Sequence, residues 1–264
     1  MTEHPVISVV TVSFNAVDCI EKTILSVISQ NCSDFEYVIM DGGSTDGTQS
    51  VVERYSDRID LFESEPDGGI YYGMNRGIEA VAGDYVIFMN CGDCFCDNGV
   101  LSDVVSFLRG NPDCDVAYGN SVQQYEYGRY TVVPREAYIN HRMSISHQAA
   151  FVRRGLLLEH KFDVRYKYAA DFEQLSYFYL SGRKFLHIDR QISLADMTDG
   201  ATFRHFEESA NEMYDIIAAR GFDVRKERIS QIRRKKIVRM LKSVLPSFIR
   251  VPLFRFVAKY YKAL

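Results

Sequence analysis

Asp84-Tyr-Val-Ile-Phe-Met-Asn-Cys-Gly-Asp93 joins a reactive group to a position where chemistry is done. The apolar run from Tyr85 to Met89 reads as a strand buried on both faces. It stops at Asn90-Cys91-Gly92-Asp93, where Gly92 permits a turn and Asp93 stands just past the strand end. Ligands of open α/β sheets gather at the carboxyl ends of strands. A carboxylate with an amide three residues earlier offers hard oxygens to a divalent cation, Mg2+ or Mn2+, that keeps phosphate oxygens in its shell. The plainer alternative is a cap or turn before a helix over 98–109.

Asp41-Gly-Gly-Ser-Thr-Asp-Gly-Thr48 is the second such stretch. Glycines and short hydroxyl residues between a strand and a helix can present backbone N–H groups to an anion. No Gly-Lys-Ser/Thr follows, so this is not a Walker loop, and glycines at 42, 43 and 47 do not form Gly-x-Gly-x-x-Gly. Asp41 would repel a phosphate placed there, so it suits accepting hydrogen bonds from a base or ribose. A tight turn with Thr45 or Asp46 capping the next helix is the alternative.

The elements that must carry these residues alternate. Val6 to Ser13 is rich in β-branched residues and reads as a first buried strand, with Asp18 and Glu21 as a capping box for a helix to about residue 29. Strands follow over 35–40 and 59–63, helices over 48–55 and 70–82, then the Asp84 strand. Strand–helix alternation through residue 110 predicts an α/β fold with a mostly parallel sheet covered by helices on both faces. Beyond residue 118 the pattern predicts a hairpin around Gly128, a strand over 146–152, a helix from Asp171 to about residue 180, a strand over 184–188, and helices over 203–219 and 224–245.

Composition bounds the function. The 264 residues are 47% hydrophobic and 25% charged, enough for a substantial core in a soluble chain. The net charge of −4 hides an asymmetry: residues 220–264 carry 14 Lys and Arg against two Asp and Glu, a net +12, and the remainder nets −16. An acidic body argues against nucleic acid as a partner, while the basic tail argues for an anionic one. The organisation expected is a body over 1–219 and an extension over 220–264. No signal-peptide pattern opens the chain and no run approaches a membrane-spanning length. The six cysteines read as reduced thiols; Cys91, Cys94 and Cys96 crowd together, but no second Cys pair or nearby His completes a zinc set.

Val9-Val-Thr-Val-Ser-Phe-Asn15, the 41–48 turn, Asp67-Gly-Gly-Ile-Tyr-Tyr-Gly-Met-Asn-Arg-Gly77 and Asn90-Cys-Gly-Asp93, in this order, resemble family 2 glycosyltransferases of the GT-A fold. The resemblance continues more weakly to about residue 205. It implies inverting transfer of a sugar from a nucleoside-diphosphate sugar, expected to be UDP-linked, to a hydroxyl of a glycan or lipid-linked acceptor in surface polysaccharide synthesis. It further implies that Thr11, Ser13 and Asn15 line the nucleotide pocket with Gly43 and Ser44, and that Asp41 accepts from the base. Asp67 and Arg76 would lie near the ribose or diphosphate, with Asn90 and Gly92 also on the donor side. Asp93 matches the last carboxylate of the family's metal motif. The first acidic position of that Asp-x-Asp is Asn90 here, so the site has one charge fewer.

Inversion requires a base opposite the leaving diphosphate. The family places a carboxylate for this at the start of a helix after the second half of the sheet, and Tyr168-Ala-Ala-Asp171-Phe-Glu173 takes that place. Asp171 is the expected base and Glu173 the alternative; a helix N-cap completed by Gln174 is the structural reading of Asp171. Ser146-His147-Gln148 resembles a His-Gln pair carried by some relatives before the acceptor site, and Asp196-Met-Thr-Asp-Gly200-Ala-Thr202 a glycine-containing loop near the diphosphate.

The tail mixes an apolar stripe with basic clusters, then bulky apolar residues broken by Pro246 and Pro252. Basic, aromatic and amphipathic segments suit an anionic membrane surface, which would make the protein cytoplasmic and peripheral on the inner face of the plasma membrane. A helix folded back on the body is the alternative. Two other functions compete. A nucleotidyltransferase wants a basic, glycine-rich first loop, which Ser13-Phe14-Asn15 is not, and a non-catalytic nucleotide-binding subunit is conceivable because of Asn90.

Overall fold

The computed structural model describes residues 4–136, 139, 142, 144–196 and 205–261. The first half alternates as expected: β1 (Ile7–Ser13), α1 (Ile20–Ile28), β2 (Phe35–Asp41), α2 (Thr48–Glu53), β3 (Leu61–Ser64), α3 (Ile70–Ala80), β4 (Tyr85–Phe88), β5 (Cys94–Phe95) and α4 (Val100–Gly110). The second half comprises β6 (Val116–Tyr125), β7 (Gly128–Val132), a 3-10 turn (His147–Ala149), β8 (Ala150–Arg153), α5 (Arg154–Glu159), α6 (Ala170–Leu180), β9 (Phe185–Asp196), α7 (Phe206–Ala219), α8 (Arg225–Val244) and α9 (Ser247–Tyr261).

Among the described residues, nine strands form one sheet in the order β3-β2-β1-β4-β8-β6-β9-β5, with β7 on β6. The β3-β2-β1-β4 half is parallel, β6 pairs β9 in parallel, and β5, β7 and β8 run antiparallel to their neighbours. Strand alternation divides the core. Ile7, Val9, Tyr37, Ile39 and Ile87 pack on one face with α1 and α4, while Val10, Val12, Val38, Met40 and Phe88 pack on the other with α3 and α6. The unbroken apolar runs are thus strands covered on both sides.

Register brings chemistry to one edge. Ser13 lies opposite Asp41, and Asp41 opposite Ser64, so three polar strand ends meet. Helix α3 lies tight on β1 because Gly73 and Gly77 lack side chains: a Cβ would sit 2.7 Å from Val12 Cγ1 at Gly73 and 2.5 Å from Val10 Cγ1 at Gly77.

Local expectations change in three places. The Asp18–Glu21 capping box does not form; α1 starts behind Cys19 without a side-chain cap, and Glu21 accepts instead from Tyr55 Oη at 2.6 Å. Helix α2 starts behind Gly47 at φ 102°, with Asp46 accepting from Thr48 N. Pro252 does not break the tail; it lies inside α9, leaving Pro246 alone as the break between α8 and α9.

Candidate active site

At the donor edge, Asp41 is fully buried and its carboxylate is occupied. Oδ1 accepts from Ser13 Oγ (2.8 Å) and Ser44 Oγ (2.6 Å). Oδ2 accepts from Gly43 N (3.1 Å), Ser44 N (2.7 Å) and Ser64 Oγ (2.7 Å). Burial alone would raise its pKa, but the bonds from Ser44, Ser64 and Ser13 hold it below the ordinary carboxylate value. Five donors fill a carboxylate's roughly four lone-pair sites, so Asp41 is the knot that ties β1, β2 and β3 to the turn. Thr11 is likewise fully buried and bonded to Met89 O (2.8 Å) and Tyr37 Oη (3.0 Å).

Residues around this knot do face the cleft. Asn15 is exposed at φ 46°, and its Oδ1 accepts from Thr45 N at 3.0 Å. Phe14 is 65% exposed and stands 3.3 Å from where a Cβ on Gly42 would lie; Asp67 Oδ1 is 3.3 Å from the same point. Gly42 therefore leaves room for an aromatic face and a carboxylate side by side. Gly43 at φ 80° backs onto Pro66 N, 2.9 Å from its missing Cβ, which fixes the 65–69 loop against the turn. Arg76 lies on α3 beside that loop, donating to Glu65 O (3.3 Å) and pairing with Glu63 (3.5 Å).

The second half of the site is held by the 3-10 turn. His147 Nδ1 is 2.8 Å from Asp171 Oδ2, and Gln148 Nε2 donates to Asp93 Oδ2 at 3.0 Å. Asn90 Nδ2 donates to His147 Nε2 at 3.2 Å. Asp93 is set by its own loop: Asp93 N donates to Asn90 O, Gly92 (φ 97°) donates its N–H to Thr23 Oγ1, and Thr23 Oγ1 donates to Asp93 O. Asp171 is 9% exposed and receives Tyr71 Oη (3.1 Å) and Phe172 N (2.8 Å) on Oδ1. Burial opposes a charge on His147, but the hydrogen bond and charge of Asp171, helped by Asp93, raise its pKa above 6.5. Asn90 Oδ1 is buried without a hydrogen-bond partner, so a rotated amide would accept from an imidazolium Nε2–H.

Helix α6 is positioned from outside the sheet. Its N-cap is Ala169, with no side-chain cap, which replaces the expected Asp171–Gln174 box; Gln174 donates instead to His160 O. The backbone N–H groups of Lys167, Tyr168 and Ala169 donate to Glu212 of α7 at 2.8–3.0 Å. Phe172 packs with Met213, Tyr214 and Ile217 beneath it. Glu173 points elsewhere, paired with His160 Nε2 (3.0 Å) and Arg220 (3.6 Å). Positions two apart on a helix do not share a face, so Glu173, expected on the acceptor side and as the alternative base, faces His160 and Arg220 while Asp171 faces His147. The expected loop over 197–202 lies outside the described residues.

The sequence matches the model of the family described as glycosyl transferase family 2 over residues 8–163, more than half of the chain. The chain belongs to glycosyltransferase family 2. Its matched region spans β1 to α5 and includes both strand-end loops and the His147–Gln148 turn. This glycosyltransferase is 27% identical over 176 residues to a PGL/p-HBAD biosynthesis glycosyltransferase of Mycobacterium bovis, covering 64% of this chain and 68% of that one. It is 37% identical over 92 residues to the putative teichuronic acid biosynthesis glycosyltransferase TuaG of Bacillus subtilis, covering 34% and 36%. Among solved structures it superposes on S. aureus TarS 1–349 in complex with UDP, with TM-score 0.64 at 21% identity over 81% of this chain and 64% of that one. It also superposes on the mannosyltransferase PcManGT of Pyrobaculum calidifontis in complex with GDP-Man and Mn2+, with TM-score 0.63 at 15% identity over 99% and 82%. The fold is GT-A, and it is the family match rather than the fold that favours a glycosyltransferase over a nucleotidyltransferase.

For this glycosyltransferase the metal question turns on donor chemistry. Among the described residues no group of three or more His, Cys, Asp or Glu is placed to hold an ion. The amide nitrogen of Asn90 is committed to His147 while its Oδ1 has no hydrogen-bond partner, so that oxygen and the Asp93 carboxylate are the hard-oxygen donors on this loop. That set fits a cation arriving with a diphosphate and taking most of its ligands from it. The crowded cysteines disperse: Cys91 faces Cys19, with sulfurs 3.1 Å apart, while Cys94 faces Lys22 O. Sequence reasoning missed Phe14, Tyr71 and Glu212. Phe14 was legible as an aromatic between strand-end polar residues; the other two act across distances that no local pattern encodes.

Proposed function

We propose that the enzyme transfers a sugar, with inversion at the anomeric carbon, from a UDP-linked donor to a hydroxyl of a glycan or lipid-linked acceptor in surface polysaccharide or glycoconjugate synthesis. The observation that carries this reading is one short turn, 147–148, bonded to both Asp171 and Asp93. A base and a diphosphate-side carboxylate fixed on one rigid element are what an in-line displacement needs.

Asp171 is the base. Its Oδ1 already accepts two hydrogen bonds, so Oδ2, which accepts from His147 alone, takes the acceptor's proton. As the acceptor oxygen bonds to the anomeric carbon, the bond to the diphosphate oxygen breaks, and the electron pair leaves with the nucleoside diphosphate. His147 and Tyr71 hold the carboxylate in position through their hydrogen bonds to Oδ2 and Oδ1. A divalent cation held between Asp93 and the diphosphate would neutralise charge on the leaving group. Phe14 stacks on the base, and Asp67 accepts from its edge or from the ribose. Structural relatives solved in complex with UDP and with GDP-Man and Mn2+ support a nucleotide-sugar donor and a cation.

The test is UDP release from a panel of UDP-sugars by the purified chain, with and without Mn2+, followed by NMR of the product's anomeric configuration. Release that depends on an acceptor, with inversion, is expected. Retention of configuration would contradict the role of Asp171.

A further inference from the structure

Helix α9 is held to the body by one side. Phe254 is 4% exposed and stacks on Tyr127 at 5.7 Å between ring centroids. Arg250 pairs with Glu126 at 2.6 Å, and Arg255 Nε donates to Tyr127 O at 3.3 Å. These contacts fasten the helix to the β6–β7 hairpin, as the folded-back alternative expects.

The opposite side is apolar. Phe248 is 75% exposed and Phe256 59%, and Ile249, Pro252 and Leu253 are exposed between them. Their spacing (i, i+1, i+4, i+5, i+8) is one continuous face of a helix. A surface helix normally turns such a stripe inward and charges outward; this one turns Phe254 inward and a second apolar stripe outward. The end of α8 continues the surface, with Ile237, Met240 and Val244 exposed at i, i+3 and i+7 just before the Pro246 break. Residues 220–264 carry the net charge of +12, placing this apolar face in the most cationic part of the chain. No helix among the described residues is long and apolar enough to cross a membrane.

We propose that the outer face of α9, with the end of α8, is a docking surface that lies in the interface of an anionic lipid bilayer. Phe248 and Leu253 enter the boundary between headgroups and chains, while the basic residues of the tail engage lipid phosphates. The hairpin contacts through Phe254 and Arg250 fix the catalytic body to the embedded helix, so the cleft is held at a set height above the lipid. The inference rests on the transferase reading only in giving the surface a purpose, since a lipid-linked acceptor is presented there. Binding itself requires no turnover.

The experiment is co-sedimentation of the full chain with phosphatidylcholine vesicles, with or without phosphatidylglycerol, at low and high salt. The native chain is expected on the anionic vesicles, with binding reduced by salt because exposed charges are screened within about 10 Å at 0.1 M. The double substitution Phe248→Ser with Leu253→Ser lies outside both the catalytic cleft and the hairpin contact. It should weaken binding by roughly tenfold or more through lost apolar insertion, with its circular dichroism and UDP binding unchanged. Equal vesicle binding by the double variant would overturn the proposal. So would a native chain that ignores anionic vesicles, or one whose self-association the double variant abolishes while vesicle binding persists, since the face would then belong to a second copy. Vesicle binding without sugar transfer would contradict the transferase reading and leave this surface standing.

Discussion

His147 Nδ1 sits 2.8 Å from Asp171 Oδ2, which makes the imidazole the positional partner of the base. The contact raises the His147 pKa above its ordinary 6.5 in the folded protein. A raised pKa in a histidine means stabilisation that is fully present below about pH 6.5 and lost as pH rises through the folded value. His147→Gln should therefore cost most stability near pH 6 and progressively less at alkaline pH. Melting temperatures of both proteins across pH check this; a gap independent of pH would show that the ion pair is absent.

Glu212 acts on the base through the backbone. Its carboxylate accepts the N–H groups of Lys167, Tyr168 and Ala169, the lead into the helix that carries Asp171. Glu212→Ala should lower turnover, with the dissociation constant for UDP unchanged, because a shift of about 1 Å in a catalytic group costs on the order of 10²-fold. Glu212→Gln should recover part of the turnover, since an amide oxygen still accepts. Equal loss in both variants, or weakened UDP binding, would remove the positioning role.

Asp41→Asn separates a structural carboxylate from a ligand-binding one. An amide would turn N–H groups toward donors in a fully buried site, at a cost of roughly 2–4 kcal/mol. The depressed Asp41 pKa means that its contribution is present above the unfolded value of 3.8 and lost as pH falls through the folded one. Chemical denaturation at neutral pH should show the loss, and the gap between native and variant proteins should narrow in acid.

Phe14→Ala tests the stacking floor. Loss of a base–aromatic contact is worth about 1–3 kcal/mol, so calorimetric UDP affinity should fall accordingly while the fold remains stable, Phe14 being exposed at 65%. Unchanged affinity would move the base away from β1.

Much of this was legible in the sequence because strands buried on both faces appear as continuous apolar runs. Val9 to Val12, Tyr37 to Met40 and Tyr85 to Met89 all emerge as sheet core. The polar residues that end such runs were correctly placed at one edge, yet their types did not reveal their partners. That Asp41 is also a knot was not legible, since Ser64, which helps to saturate it, belongs to another strand. Asp171 was preferred to Glu173 from its place at the helix start, and the partners that hold Glu173, Arg220 and His160, could not be read from local spacing. Pro252 did not break its helix, which runs through it and stacks Phe254 on Tyr127, a contact that no local pattern encodes.

The central claim, that Asp171 Oδ2 takes the acceptor's proton, is tested most directly by comparing Asp171→Asn with Glu173→Gln in single-turnover transfer, with UDP affinity measured in parallel. Asp171→Asn should keep UDP affinity and lose roughly 10²–10⁴ in rate, the range for a missing general base, while Glu173→Gln transfers at close to the native rate. Native-like transfer by Asp171→Asn, or the larger loss falling on Glu173→Gln, would contradict the account.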